Sequence, residues 1–493
     1  MKAKYIILML FFIVADSQAL LRENKRTCNK NQGCDFSHVL PDYRKKLSQA
    51  PVDYLMTGRE TLPQIELKRY RMTSQSWSPD LRVSPDSWQH DVNIFIPDKA
   101  KSERAILVIN NGVNYGVSVQ NTGASTDFSE EALANIARKS HTIVISVSNV
   151  PNQFLTYQND NTPLKEDDSV ARSWILFLAA PEQRELMPLH IPMAASVSQA
   201  MRVARKELIS WNIHKFIVTG VSKRGWVSWL TAISDPDVEA IIPFAFDLLD
   251  TRTSLTHMYR SYGGNWPIAF YPYYKQGIDS LIDTDDFAKL LGIEDPLSYL
   301  KTTYRSRLSI PKYIINSSGD DFYVPDNTRF YFDELPGVKS LRVVPNSDHY
   351  GIKNFTEESI IPFVNRLQNN RRPPEIHGKL QGNELVVELS EKPLSIVRWT
   401  ASNPLARDFR YACGIRYQPS TPVVVLNKKI KIPLVSGQPG WQATYIEATF
   451  KDGYIATTQA YITPEDKYAQ VAPPASGAAC QTLPGRGLGD DSR

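Results

Sequence analysis

Three residue types in this chain could together make and break an acyl bond. The first is a serine. Residues 215–232 read K-F-I-V-T-G-V-S-K-R-G-W-V-S-W-L-T-A, with Ser222 between Gly220 and Gly225 at the end of an apolar, β-branched run. A hydroxyl is a poor nucleophile until a base takes its proton and donors receive the negative charge it creates. A base stands in P-N-S-D-H-Y-G, where His349 follows another apolar run, and an acid stands in S-G-D-D-F-Y-V-P-D, as Asp320 or Asp321. Serine, acid and histidine in one site are the parts of nucleophilic acyl transfer, with the acid orienting the imidazole. Ser222 has a second possible use, as the N-cap of the helix that follows it.

These side chains must be positioned by strands. Residues 216–219 read as a buried strand, Gly220–Gly225 as a sharp turn and the next stretch as a helix, which is the layout of a nucleophile elbow. Residues 105–109, 142–147, 240–246, 311–317 and 341–344 are further buried strands, and helical patterns at 128–139, 170–179 and 192–211 fall between them. That alternation predicts an α/β fold with a doubly wound, mostly parallel sheet. Each chemical residue falls just beyond the C-terminal end of a predicted strand, where open α/β sheets bind ligands. The order serine, acid, histidine is that of the α/β-hydrolase fold. Of the eight histidines, only His349 has this placement; His141 and His214 precede their strands. Residue pattern alone leaves Asp320 and Asp321 open, and Asp348 is weaker because adjacent side chains point apart.

The loop Asn110-Asn111-Gly112-Val113-Asn114 directly follows an early strand, where this fold places a second oxyanion donor. The backbone N–H groups of Lys223, Val113 and Asn114 are the candidate donors. Glu166, Asp167 and Asp168 read as the acidic first turn of a helix, favoured there by its dipole. Residues 250–307 break the strand–helix rhythm and are rich in aromatics, including Tyr262, Trp266 and Tyr271. They are expected to form a helical cap whose aromatics shape a substrate pocket.

Length and composition set the frame. With 493 residues there is room for a full domain and a second one. A net charge of +4, with basic residues scattered, gives no footprint for nucleic acid. Residues 1–19 carry Lys2 and Lys4, an apolar run over 5–14 and small residues Ser17 and Ala19, the pattern of a cleaved secretory signal. The run is too short to span a membrane, so a secreted or periplasmic protein without a membrane span is expected. Of four cysteines, Cys28 and Cys34 are close enough to close a small disulfide loop. Cys413 reads as a buried thiol in a strand, and Cys480 as free or paired elsewhere. No cysteine or histidine spacing suggests a metal site, and acyl transfer of this kind needs no cofactor.

The hydrolase region is expected over 20–370, with residues 20–90 polar and turn-rich and 53–59 as short helix or coil. A Pro-containing linker at 369–374 leads into period-two segments over 375–464, which predict an immunoglobulin-like β-sandwich. Residues 465–493, rich in Pro, Ala and Gly, read as a disordered tail.

T-G-V-S-K-R-G-W, V-P-N-Q, E-D-D-S-V-A-R-S-W, S-G-D-D-F-Y-V-P-D and P-N-S-D-H together resemble the PhoPQ-activated pathogenicity-related proteins, from about residue 53 to 464. That family has bacterial members and a secreted autocrine proliferation repressor of amoebae. The resemblance implies an α/β-hydrolase fold with Ser222 and His349 in the triad, and it favours Asp320 over Asp321. The elbow is also similar to the G-x-S-R-x-G of glucuronoyl esterases, which implies an oxyanion role for Lys223. One departure stands out: the second position after the serine is Arg224, and the glycine comes third, so Arg224 must point away for the turn to close. Two functions follow as expectations. One is a secreted serine hydrolase acting on an ester- or peptide-bearing substrate; the other is a signalling protein on a hydrolase scaffold with a cell-surface partner.

Overall fold

The computed structural model describes residues 35–114, 125–422, 429–434 and 439–489. The signal sequence and the Cys28–Cys34 pair fall outside the described residues. From Phe36 onward the chain forms one compact unit.

Nine strands make the central sheet: β1 (Asp53–Leu62), β2 (Ile65–Ser76), β3 (Ser87–Pro97), β4 (Arg104–Ile109), β5 (Ile143–Val147), β6 (Lys215–Val221), β7 (Val238–Phe244), β8 (Lys312–Ser317) and β9 (Lys339–Val344). Their spatial order is β1-β2-β3-β5-β4-β6-β7-β8-β9. The first three pair antiparallel, β3 pairs antiparallel with β5, and every pair from β5 to β9 is parallel. The strands β4 to β8 read as nearly continuous apolar text because both their faces are covered. The chain leaves β4 to one side for β5 and returns to the other for β6. The order therefore reverses at β4, and the loops after β4 and β6 face each other across a crevice. Mostly parallel sheet, covering helices and this switch point make the α/β-hydrolase arrangement.

The helices are α1 (Val39–Ser48), α2 (Glu130–Ser140), α3 (Glu166–Leu178), α4 (His190–Glu207), α5 (Lys223–Ser234), α6 (Thr251–Ser261), α7 (Tyr271–Lys275), α8 (Asp285–Glu294) and α9 (Thr356–Gln368). α2 packs with α9, while α1, α4 and α5 pack with one another. Local chemistry explains α2 well. Ser129 Oγ accepts the Ala132 N–H, Glu130 and Glu131 lie in the first turn, and Arg138 and Lys139 lie in the last. α6, α7 and α8, joined by short 3-10 turns, fill the excursion between β7 and β8. Among the described residues, no helix is long and apolar enough to cross a membrane.

Residues 53–59 are strand, not helix or coil. They pair with β2 through a tight connection in which Gln64 takes φ 61°, so β1 is an exposed edge whose partner lies beyond local periodicity. The polar stretch before it holds α1, which buries Val39, Leu40 and Tyr43.

After α9 come two antiparallel sheets. One has three strands (Ile376–Gln381, Glu384–Leu389, Lys429–Pro433), and the other is built on Ser395–Asn403 and Trp441–Thr449. They join the edge of the central sheet: Tyr313 donates its hydroxyl to the Ile455 carbonyl, and the Val343 N–H donates to Thr457 Oγ1 at 3.0 Å.

Two expectations for the C-terminal part need correction. Cys413 is not a lone thiol, and it ends a 3-10 turn, Tyr411–Cys413, rather than lying in a strand; of the two states left open for Cys480, the structure shows the paired one. The two cysteines form a disulfide across a sequence separation of 67, which sequence spacing cannot reveal. Nor are residues 465–489 structureless. Thr482–Pro484 pairs with Asn265–Pro267 of the cap, and Arg486 binds Asp279 at 2.6 Å. The docking uses backbone pairing, one covalent link and ion pairs rather than a hydrophobic run, so composition hid it.

Candidate active site

The elbow is built at the end of β6. Ser222 takes φ 59° and ψ −126°, a region costly for a residue with a side chain. It is tolerated because the glycines on either side let backbones approach. A Cβ on Gly220 would lie 2.6 Å from the Arg224 carbonyl oxygen, and one on Gly225 would lie 2.6 Å from that of Phe244. The third-position glycine thus carries the close approach to β7. Replacing Gly225 with alanine is expected to cost roughly 1–3 kcal/mol as a local overpacking, measured by urea unfolding; an unchanged midpoint would show that the elbow can spread.

Ser222 makes no capping hydrogen bond with its side chain. Instead its Oγ lies 2.8 Å from His349 Nε2. On the other side of the ring, His349 Nδ1 lies 2.9 and 3.0 Å from the two oxygens of Asp320. Asp320 Oδ1 also accepts the Phe322 N–H at 2.8 Å and the Tyr323 N–H at 3.2 Å. These donors fix the carboxylate beside the imidazole. Asp320 is 3 % exposed and His349 2 %. Burial works against a charged imidazole, but the adjacent Asp320 carboxylate outweighs it, and the His349 pKa lies above its ordinary value.

Of the three carboxylates near His349, only Asp320 bonds its ring. Asp321 Oδ1 has no hydrogen-bond partner, and burial followed by the charge of Asp320 pushes Asp321 up to about 6. Asp348 accepts the Gly351 N–H at 2.6 Å and so braces the turn beyond the histidine.

The candidate oxyanion donors do not all stand free. Lys223 is the first residue of α5, where an N–H has no partner inside the helix. Asn114, by contrast, gives its N–H to the Gln153 carbonyl at 2.5 Å and its side-chain amide to Asn152 and Phe154. The chain folds back across this loop through V-P-N-Q, a contact no local pattern announces. Val113 and Lys223 remain as the candidate donors.

Arg224 does point away from the turn. Its Nε donates to the Val150 carbonyl at 2.6 Å, and its guanidinium binds Asp127 at 3.0 Å and Glu166 at 2.5 Å. Lys223 Nζ binds Glu166 at 2.7 Å and Asp167 at 3.1 Å. Burial disfavours each of these charges, but the partners win. Lys223 is held above the ordinary ammonium value and Glu166 far below the carboxylate range. The acidic run is therefore more than a helix start. Its signal was two cations opening an apolar elbow helix, since buried charges require partners. The same pairing keeps the Lys223 ammonium on two carboxylates, which leaves its backbone N–H as the candidate donor.

A narrow cavity of about 30 Å³ opens beside Ser222. The cap contributes Leu255, Met258, Phe270 and Tyr273 to its wall. Tyr262, Trp266 and Tyr271 do not line it. Tyr262 lies under Arg410, Trp266 is fully buried and stacks on Phe270 at 4.6 Å, and Tyr271 is half exposed on the outer side. The aromatics expected in the pocket instead support those that are.

The sequence model of the PhoPQ-activated pathogenicity-related proteins matches residues 40–410. Autocrine proliferation repressor protein A of Dictyostelium discoideum is 28 % identical over 444 residues, which is 84 % of this chain and 86 % of that protein. Among solved structures, an acetyl xylan esterase from Paenibacillus sp. R4 aligns with TM-score 0.45 and 14 % identity, over 67 % of this chain and 93 % of that one. An S-formylglutathione hydrolase from Agrobacterium tumefaciens aligns with TM-score 0.37 and 12 % identity, over 64 % and 97 %. With its elbow, its ordered acid and histidine loops and a match over most of its length, the chain belongs to the PhoPQ-activated pathogenicity-related protein family.

Proposed function

We propose that this protein is a secreted serine hydrolase that works through an acyl-enzyme. The observation that carries the reading is the buried line Ser222 Oγ, His349, Asp320, with contacts of 2.8 and 2.9 Å. Ser222 Oγ attacks the substrate carbonyl as His349 Nε2 takes its proton. Asp320 holds Nδ1–H and stabilises the imidazolium. The Lys223 and Val113 N–H groups receive the oxyanion. His349 passes the proton to the leaving group; water then repeats the sequence and frees the serine. Secretion is supported by the N-terminal signal pattern and by the Cys413–Cys480 disulfide, since such bonds persist in oxidising compartments. We read the two C-terminal antiparallel sheets as an immunoglobulin-like sandwich, on the alternation of their strands.

The test is labelling by a fluorophosphonate probe, with the modified peptide located by mass. Wild-type protein is expected to be labelled on Ser222, and Ser222→Ala and His349→Ala variants are not. A folded wild type that takes no label and turns over no ester or amide would sink the reading.

A second reading is favoured by the similarity to autocrine proliferation repressor protein A. In it the hydrolase scaffold signals to cells, and hydrolysis is secondary. It predicts that Ser222→Ala retains full effect on cell proliferation, whereas the first reading ties any such effect to the serine.

A further inference from the structure

The shape of the cavity beside Ser222 names the group the enzyme transfers. This inference rests on the hydrolase reading above. His349 must face the leaving group in order to protonate it. The cavity is lined by Ser222 but not, among the described residues, by His349. The imidazole stands behind two of its wall residues, Phe322 and Tyr323, at 4.7 and 6.0 Å between rings, whereas Ser222 opens into the cavity itself, so the acyl group that the serine carries is the part placed there. Its volume of about 30 Å³ is small, since a single water needs roughly 10–15 Å³ on the same scale. Two or three heavy atoms fill it.

Its wall is apolar and well supported. Trp226 stacks on Phe246 at 4.7 Å and donates its indole N–H to the Glu294 carbonyl at 2.6 Å. Phe270 is held between Trp266 and Tyr273 at 4.6 and 5.2 Å. Trp266 in turn sits in the strand pair that joins the cap to residues 482–484, two residues after the disulfide. The polar groups at the wall are used up on one another: Lys223 Nζ binds Asp167 at 3.1 Å, and the Tyr273 hydroxyl donates to Asp167 at 3.0 Å. No charge is left over for a charged acyl group, and a buried unpaired one would be costly.

We infer that the substrates are esters of short, neutral acyl groups, acetyl or propionyl, and that the cap sets this limit through Leu255 and Met258. In the transfer, the bond from Ser222 Oγ to the acyl carbon forms as the bond to the alcohol oxygen breaks. The serine proton reaches that oxygen through His349, and water then releases the short carboxylic acid.

The experiment is a series of p-nitrophenyl esters from acetate to hexanoate, run on wild type and on Leu255→Ala/Met258→Ala, with fluorophosphonate labelling in parallel. A methylene that does not fit an apolar pocket costs about 10- to 200-fold in kcat/KM. Wild type is therefore expected to favour acetate or propionate over hexanoate by at least about tenfold. The double variant should gain on hexanoate, an increase that misfolding cannot produce. A labelled wild type with a flat chain-length profile, a labelled wild type that cleaves no ester, or a labelled double variant with an unchanged profile overturns the acyl assignment and leaves the hydrolase reading standing. Failure of both labelling and turnover removes the hydrolase reading, and this inference with it.

Discussion

Asp320→Asn lowers kcat by about 10⁴, while Asp321→Asn changes it by less than about tenfold. The contrast is large because the two carboxylates do different things. Asp320 accepts the His349 Nδ1–H and is itself fixed by the N–H groups of Phe322 and Tyr323. An asparagine of the same shape turns an N–H toward the ring, selects the wrong tautomer and removes the charge that stabilises the imidazolium. Asp321 bonds neither the ring nor Ser222, and burial followed by the charge of Asp320 already pushes it up to about 6.

A pH profile separates orientation from simple damage. The base form of His349 is neutral, so kcat/KM falls as pH drops through its pKa. In the wild type that limb lies above the ordinary value of 6.5, because Asp320 outweighs burial. In Asp320→Asn the main raising charge is gone and burial prevails, so the residual activity shows its limb at lower pH. Equal losses at Asp320 and Asp321, or a limb that does not move, would remove Asp320 from the triad.

Arg407→Ala destabilises the fold by roughly 3–5 kcal/mol, the cost of leaving a buried carboxylate short of its partner. Arg407 is fully buried and binds Asp326 at 2.6 Å through one nitrogen, while another donates to Ser261 Oγ at 2.9 Å. Asp326 also meets His257 Nε2 at 3.0 Å, and His257 Nδ1 meets the Tyr468 hydroxyl at 2.9 Å. One cluster thus joins the loop after the acid, cap helix α6, the segment before the disulfide and the C-terminal strap.

Burial opposes the Asp326 charge, but Arg407 and then His257 outweigh it, and its pKa is far below the carboxylate range. A depressed carboxylate contributes stability that is complete above the unfolded pKa of about 4 and is lost only as pH falls through the folded value. Wild type should therefore keep this contribution well into acid, and Arg407→Ala should unfold at higher pH. Urea unfolding at pH 7 and an acid titration measure both effects. A loss below about 1 kcal/mol would place the cluster with ordinary surface ion pairs.

Much of the layout of the candidate site is local and so is readable from residue order. A strand, a glycine-flanked turn and a helix specify an elbow through the backbone freedom of Gly220 and Gly225. The capped start of α2 follows from Ser129, Glu130 and Glu131 within one turn. The placement of His349 after the last strand follows from counting apolar runs.

What remained open depended on contacts between distant segments. Asp320 and Asp321 are neighbours of identical chemistry, and only the direction in which the folded loop points each one decides between them. Glu166 and Asp167 read as a helix start only, because Lys223 and Arg224, which take them as counterions, lie far along the chain. Asn114 lost its N–H to Gln153, and the tail gained a strand partner and a disulfide partner. Residue type and spacing determined which groups could react and in what order they come. The tertiary structure decided which of them meet, because a side chain's partner is set by distances in space that spacing along the chain does not encode.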